Sequence, residues 1–145
     1  MTSRPRLFTS IGACALVIAF ALPVLAQGQL SSPGDVKTGL RILNQVVGHT
    51  GRLIASKNYD TVPHEHHEIV EGAEILRDAL AKEPEAFRTK VGGMLDKVVA
   101  ASAALAEPSK MHDDSKLAAA HTVLADAVHE VLDLFPADLQ PTPRN

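Results

Sequence analysis

The chain has 145 residues with 14 Lys and Arg against 17 Asp and Glu, and its formal net charge is −3. No cluster of Lys and Arg occurs, which argues against a nucleic-acid partner because phosphate backbones are bound through clustered cations. The single cysteine, Cys14, excludes a disulfide framework, thiolate metal clusters and covalently attached haem. The seven histidines are the compositional anomaly, and this histidine-rich character favours metal binding or pH sensing.

The N-terminus has the pattern of a secretory signal peptide covering residues 1–26. Arg4 and Arg6 precede an apolar run of 16 residues that ends at Ala26. A membrane-spanning helix needs about 20 apolar residues, so we expect cleavage after Ala26 and not a retained anchor. Cys14 closes a lipobox-like tetrapeptide, so a lipoprotein is the alternative. We therefore expect an exported protein, periplasmic or secreted, that meets the membrane only through this segment if it stays uncleaved.

After the signal segment, the sequence predicts a folded domain over residues 27–135 and a flexible, proline-containing tail over 136–145. The first helix begins at Ser32, the expected N-cap, with Pro33 in its first turn. Glycines within this helix predict the close approach of a neighbouring helix, with a local bend as the alternative. These glycines are Gly39, Gly48 and Gly51.

Three further amphipathic helices follow. The second runs from Asp60 to about Lys82, and Pro84 separates it from the third, which ends before Ser109. The fourth begins at Ser109 or a few residues later and ends before Pro136. Four such helices with short loops predict an all-α fold, an antiparallel up-down-up-down four-helix bundle. In this topology the start of the second helix and the start of the fourth share one end.

The stretch Val62–Gly72 contains three histidines and three glutamates. On a helical wheel of about 100° per residue, His64, His67 and Glu71 face away from the apolar stripe of the second helix. Two imidazoles and a carboxylate on one helical face can hold Zn²⁺, Cu²⁺ or Ni²⁺. The alternative is a solvated polar face with weak contacts between neighbouring turns.

Three other histidines are predicted to face the interior of the bundle or its edge. His66 and His121 each lie about 40° from the centre of an apolar stripe, and His49 lies at the border of one. His49 is expected near the level of His121. Histidines of facing helices can build a metal or cofactor site in a bundle core. Each one alone can also be an edge histidine that requires only a hydrogen-bond partner.

In length and helical periodicity the mature chain resembles the periplasmic four-helix b-type cytochromes. That resemblance implies a non-covalent haem b, with His121 and either Met94 or His66 as axial ligands. The sequence contains no Glu-x-x-His, no H-E-x-x-H and no Gly-rich phosphate loop. We therefore predict no enzymatic activity and no catalytic residues.

The leading hypothesis is an exported, non-enzymatic bundle that binds Cu, Zn, Ni or Co through histidines and buffers, carries or senses the ion. Binding should weaken below about pH 6, where imidazoles protonate. One alternative is the haem carrier. The other is a cofactor-free interaction module whose acidic helix faces contact another envelope protein or a second copy of the chain.

Overall fold

The computed structural model describes residues 30–142, which are helical and contain no strand. The helices span, in chain order, Pro33–Ala55 (α1), Tyr59–His64 (a 3-10 helix), Glu65–Ala79 (α2), Glu85–Ala103 (α3), Ala106–Lys110 (α4) and Asp114–Leu132 (α5). The predicted signal segment and residues 143–145 lie outside the described residues. Among the helices of residues 30–142, none combines the length and the apolar character needed to cross a bilayer.

The four long helices form the bundle that the sequence predicts. α1 packs against α2 and α5, and α3 packs against the same two helices. Gly39 near the start of α1 lies against Leu76 near the end of α2, whereas His49 further along α1 lies against Glu65 at the start of α2. Neighbouring helices are therefore antiparallel, and α2 and α5 are diagonal.

Aliphatic side chains fill the centre of the bundle. The largest fully buried ones are Leu40, Leu43, Ile69, Leu76, Leu80, Leu95, Leu105, Leu117 and Leu124. Burying one such side chain stabilises a fold by about 1.5–3 kcal/mol. Phe87 and Phe135 add an edge-to-face contact between α3 and the segment after α5, with ring centroids 5.9 Å apart. The stability of this fold therefore rests mainly on aliphatic packing.

Glycines bring α1 and α2 into close contact. A Cβ atom at Gly39 would lie 2.6 Å from Leu76 Cγ and 3.0 Å from the carbonyl oxygen of Gly72. A Cβ atom at Gly72 would lie 3.0 Å from Ile42 Cγ2. The close approach predicted from Gly39 is confirmed. Gly48 has no such role, because it is exposed and faces no neighbouring helix.

The second and third helices differ from the sequence prediction. The second predicted helix is split, since Pro63 lies in a 3-10 helix and regular α-structure begins only at Glu65. Proline lacks an N–H donor and disfavours α-conformation in the residue before it. The third helix ends at Ala103, and a separate turn, α4, contains Pro108. Ser32 is the N-cap of α1, but its side chain makes no capping hydrogen bond.

The loops at the start of α2 and α5 meet at one end of the bundle, as the short connections predict. The phenol of Tyr59 donates a hydrogen bond to Asp114, and Lys57 Nζ lies 3.4 Å from the same carboxylate. The ring of Tyr59 also packs on His112, with centroids 4.8 Å apart. Ser109 donates to the carbonyl oxygen of Tyr59. These contacts fix the entry to both helices.

At the opposite end, the chain after α5 returns to the bundle. The amide of Gln140 donates to the carbonyl oxygens of Leu132 and Phe135, at 3.1 and 2.9 Å. Leu139 packs partly buried against the core. These contacts hold the first part of the predicted tail against the bundle.

Candidate functional site

The outward-facing candidates lie on the surface, as the helical wheel predicts. His64 ends the 3-10 helix, His67 lies in the first turn of α2, and Glu71 follows one turn later. The side chains of all three are exposed. In the described structure they do not form a three-ligand metal site, and their exposure fits the solvated helix face.

His66 is half-buried and forms a hydrogen bond between α2 and α3. Its Nδ1 atom lies 2.7 Å from the hydroxyl oxygen of Ser102. That hydroxyl donates its own hydrogen to the carbonyl oxygen of Val99, at 2.8 Å. His66 Nδ1 must therefore carry the proton and donate it, which leaves Nε2 as the acceptor nitrogen of the ring. The bond satisfies a polar ring at the edge of the core.

His121 is half-buried and connects α5 to α1. Its Nε2 atom lies 2.9 Å from the carbonyl oxygen of Val47, which can only accept, so Nε2 carries the proton. A Cβ atom at Gly51 would lie 3.1 Å from Cε1 of this ring. Gly51 therefore permits the close approach of α5, which is one of the two roles that the sequence suggested for it.

His49 forms the third interhelix bond and pairs with a buried acid. Its Nδ1 atom lies 3.0 Å from Oε2 of Glu65, the first residue of α2. The side chain of His49 is 46% exposed, whereas that of Glu65 is 6% exposed. A carboxylate accepts hydrogen bonds, so Nδ1 of His49 carries a proton, and in the neutral ring Nε2 then presents a lone pair. Such a nitrogen can bind a metal ion or accept a proton.

Glu65 was missed by the sequence analysis, although its position carries a signal. It is three residues after Val62 and four before Ile69, both of which are buried. This spacing places Glu65 on the apolar stripe of the second helix. A carboxylate on such a stripe needs a partner, because burying an unpaired charge is costly.

His49 also lines an open groove of about 860 Å³ along α1. Glu68 of α2 lines the same groove one turn after Glu65, and Pro141 and Thr142 close it from the side of the C-terminal segment. The remaining lining residues belong to α1, and they are Lys37, Arg41, Asn44, Gln45, Val46, Val47, Gly48 and Arg52. The half-exposed imidazole therefore faces a polar surface and not the apolar core.

The six predicted ligands are not brought together. His66, His121 and His49 bond to three different partners, on α3, α1 and α2 respectively. Within residues 30–142 no group of three or more His, Cys, Asp or Glu side chains is arranged to hold a metal ion. Metal binding therefore stays a prediction, and any ion would be held by fewer than three preplaced protein ligands of these types.

The cluster at the loop end shows the clearest electrostatic perturbation. The hydrogen bond from Tyr59, helped by the Coulombic effect of Lys57, lowers the pKa of Asp114 below its usual value of 3.8. The same hydrogen bond raises the pKa of Tyr59 above 10.0. The backbone N–H of Lys116 lowers the pKa of Asp113, which caps α5. Asp114 and Lys116 are exposed, whereas Tyr59 and Asp113 are half-buried, and the bonds among these groups position the loops.

No protein-family model, no curated protein and no solved structure matches this chain.

Proposed function

We propose that the protein is an exported, non-enzymatic helical bundle that binds a transition metal ion reversibly through His49. The observation that carries the proposal is the bond from His49 Nδ1 to Glu65 Oε2, at 3.0 Å. Metal-binding histidines usually donate their second ring N–H to a carboxylate or carbonyl, which fixes the tautomer and raises the basicity of the ligating nitrogen. His49 has this arrangement, and in its neutral form Nε2 presents a lone pair on a side chain that is half accessible.

Glu68 is the second ligand that the proposal assigns. It lines the same groove as His49, and a carboxylate beside an imidazole suits Zn²⁺, Cu²⁺, Ni²⁺ or Co²⁺. Two protein ligands leave the other coordination positions to water or small molecules. Such a site releases its ion readily, which favours buffering or carriage over a structural role. The exposed residues His64, His67 and Glu71 are not arranged as a three-ligand site, and the proposal assigns them no ligand role.

The haem alternative has less support. An axial ligand must present a free nitrogen to the iron, but Nε2 of His121 donates to Val47 and the space between the helices is filled by leucines. The interaction-module alternative is favoured by one observation. All three inward or edge histidines use one ring nitrogen for a bond between helices, which is a purely structural role.

A calorimetric titration of the mature, metal-depleted protein with Zn²⁺ and Cu²⁺ tests the proposal. We expect saturable binding by the wild-type protein and loss of binding in His49→Ala. Glu65→Gln should weaken binding about 10–100-fold, because it changes the hydrogen-bond partner of His49 and leaves the ligand His49 in place. His129→Ala is the matched control, because His129 is an exposed histidine of α5 outside the groove. Equal binding by His49→Ala and His129→Ala would contradict the assignment of the site to His49, and absence of binding by the wild-type protein would leave the interaction module.

A further inference from the structure

The exposed face of α1 carries three cations that have no counter-ion among the described residues. Within residues 30–142, Lys37, Arg41 and Arg52 form no ion pair, like three other Lys and Arg side chains, whereas five Lys and Arg side chains do. All three line the groove described above. On a wheel of about 100° per residue they lie within roughly 60° of one another, so they share one face of the helix.

The two arginines reach toward each other along this face. Arg41 donates from a terminal guanidinium nitrogen to Oε1 of Gln45, at 3.1 Å, so its side chain extends toward the C-terminus of α1. Arg52 extends the opposite way, since one of its terminal nitrogens lies 3.7 Å from the position of a Cβ atom on Gly48. Gln45 and Gly48 are one helical turn apart. The Cα atoms of Arg41 and Arg52 are about 16 Å apart by helix geometry. Their guanidinium groups nevertheless both lie over the same short stretch of α1, between Gln45 and Gly48.

Gly48 has no side chain, so the surface of α1 between Arg41 and Arg52 is unobstructed. It is exposed, and its Cβ position is free of contacts closer than 3.7 Å. Glu68 is the one acidic side chain among the groove residues, and it lies on the α2 side. The groove volume of about 860 Å³ lies within the 300–1,000 Å³ typical of small-molecule sites. A small anion can therefore reach both guanidinium groups.

We infer that this groove binds a small multivalent oxyanion through Arg41 and Arg52, with Lys37 adding charge. Guanidinium forks match the geometry of carboxylate and phosphate oxygens and form charge-assisted bonds with them. The oxyanion chemistry is shared by phosphate esters and polycarboxylates. The site differs from the proposed metal site, because it uses cations and requires no metal ion, although the two share one groove.

Titration calorimetry of the mature, metal-depleted protein at low salt tests the inference, with pyrophosphate and citrate as probes. We expect saturable binding of at least one probe, and the tighter of the two identifies the anion class. Arg41→Gln and Arg52→Gln should each weaken binding about ten-fold, because each removes hydrogen bonds between charged groups. Arg88→Gln removes the same charge from exposed α3, outside the groove, and should change binding less than about two-fold.

Two further variants separate the outcomes. Gly48→Glu places a carboxylate between the arginines and should abolish anion binding while the circular dichroism spectrum stays helical. His49→Ala should lose metal and keep the anion, so that failure of the metal proposal and failure of this inference are distinguishable. Absence of saturable binding for both probes would overturn the inference. An equal loss in Arg88→Gln and Arg41→Gln would also overturn it, because it would mean that only net charge matters.

Discussion

A matched pair of glycine substitutions in α1 tests the packing of the bundle. Gly39→Ala places a methyl group 2.6 Å from Leu76 Cγ and 3.0 Å from the backbone oxygen of Gly72. The backbone oxygen cannot rotate away, so α1 and α2 must separate locally. Overpacking of this kind costs about 1–3 kcal/mol. The gain in helix propensity from glycine to alanine offsets about 1 kcal/mol of it.

The matched control is Gly48→Ala, which gains the same propensity with no contact closer than 3.7 Å. At the upper end of the packing cost, we expect Gly39→Ala to lower the free energy of unfolding by about 2 kcal/mol, because the gain in helix propensity offsets part of that cost. We expect Gly48→Ala to raise the free energy of unfolding by about 1 kcal/mol. Urea unfolding followed by circular dichroism measures both. In a domain of this size, about 1 kcal/mol corresponds to a change in Tm of roughly 4 °C. Equal stabilisation by the two alanines would refute the close contact between α1 and α2.

Three other substitutions probe single hydrogen-bonding groups, each through the free energy of unfolding in urea. Thr50→Val should stabilise the fold by about 1 kcal/mol, because the Thr50 hydroxyl is buried without a partner among the described residues. Destabilisation by this substitution would mean that the hydroxyl has a hydrogen-bond partner in solution. Ser102→Ala should cost about 1 kcal/mol by removing the acceptor of His66 Nδ1, and an unchanged stability would contradict that bond. The bond between Tyr59 and Asp114 should contribute stability between about pH 3.8 and pH 10.0. This contribution is lost at low pH, as the pH falls through the lowered pKa of Asp114. It is lost at high pH as well, as the pH rises through the raised pKa of Tyr59. Tyr59→Phe should remove the contribution at high pH and reduce the one at low pH, where Lys57 still lowers the pKa of Asp114, and a variant with the wild-type pH profile would contradict the assignment.

The helices could be predicted from the sequence because hydrophobic periodicity is a local property. The leucines and valines that recur at helical spacing in each long helix form the buried core, whereas Val123 of α5 lies outside this spacing and is exposed. The breaks at Pro63 and Pro108 could not be placed, because a proline fits the first turn of a new helix as well as a 3-10 segment. Only the packing of the loops decides between these choices.

The direction in which each histidine faces was predictable, but its partner was not. The wheel predicts that His66 faces inward and that His64 faces solvent, and the structure confirms both. The partners Ser102 and Glu65 depend on the rotation and depth of neighbouring helices, which a single helix does not encode. For the same reason, wheel positions could not show that the inward histidines bond to separate partners and do not meet at one ion.

The most direct test of the proposed function is a histidine-resolved NMR titration of the ¹⁵N-labelled mature protein with Zn²⁺ near pH 7. Long-range ¹H–¹⁵N spectra of imidazoles report the tautomer and the metal-bound nitrogen of each ring separately. Before Zn²⁺ is added, the account predicts that His49 carries its proton on Nδ1. On titration, it predicts that the Nε2 resonance of His49 shifts first and saturates while His129 stays unchanged. A His49 ring that keeps its free chemical shifts at saturating Zn²⁺ would contradict the account, whichever other histidines respond.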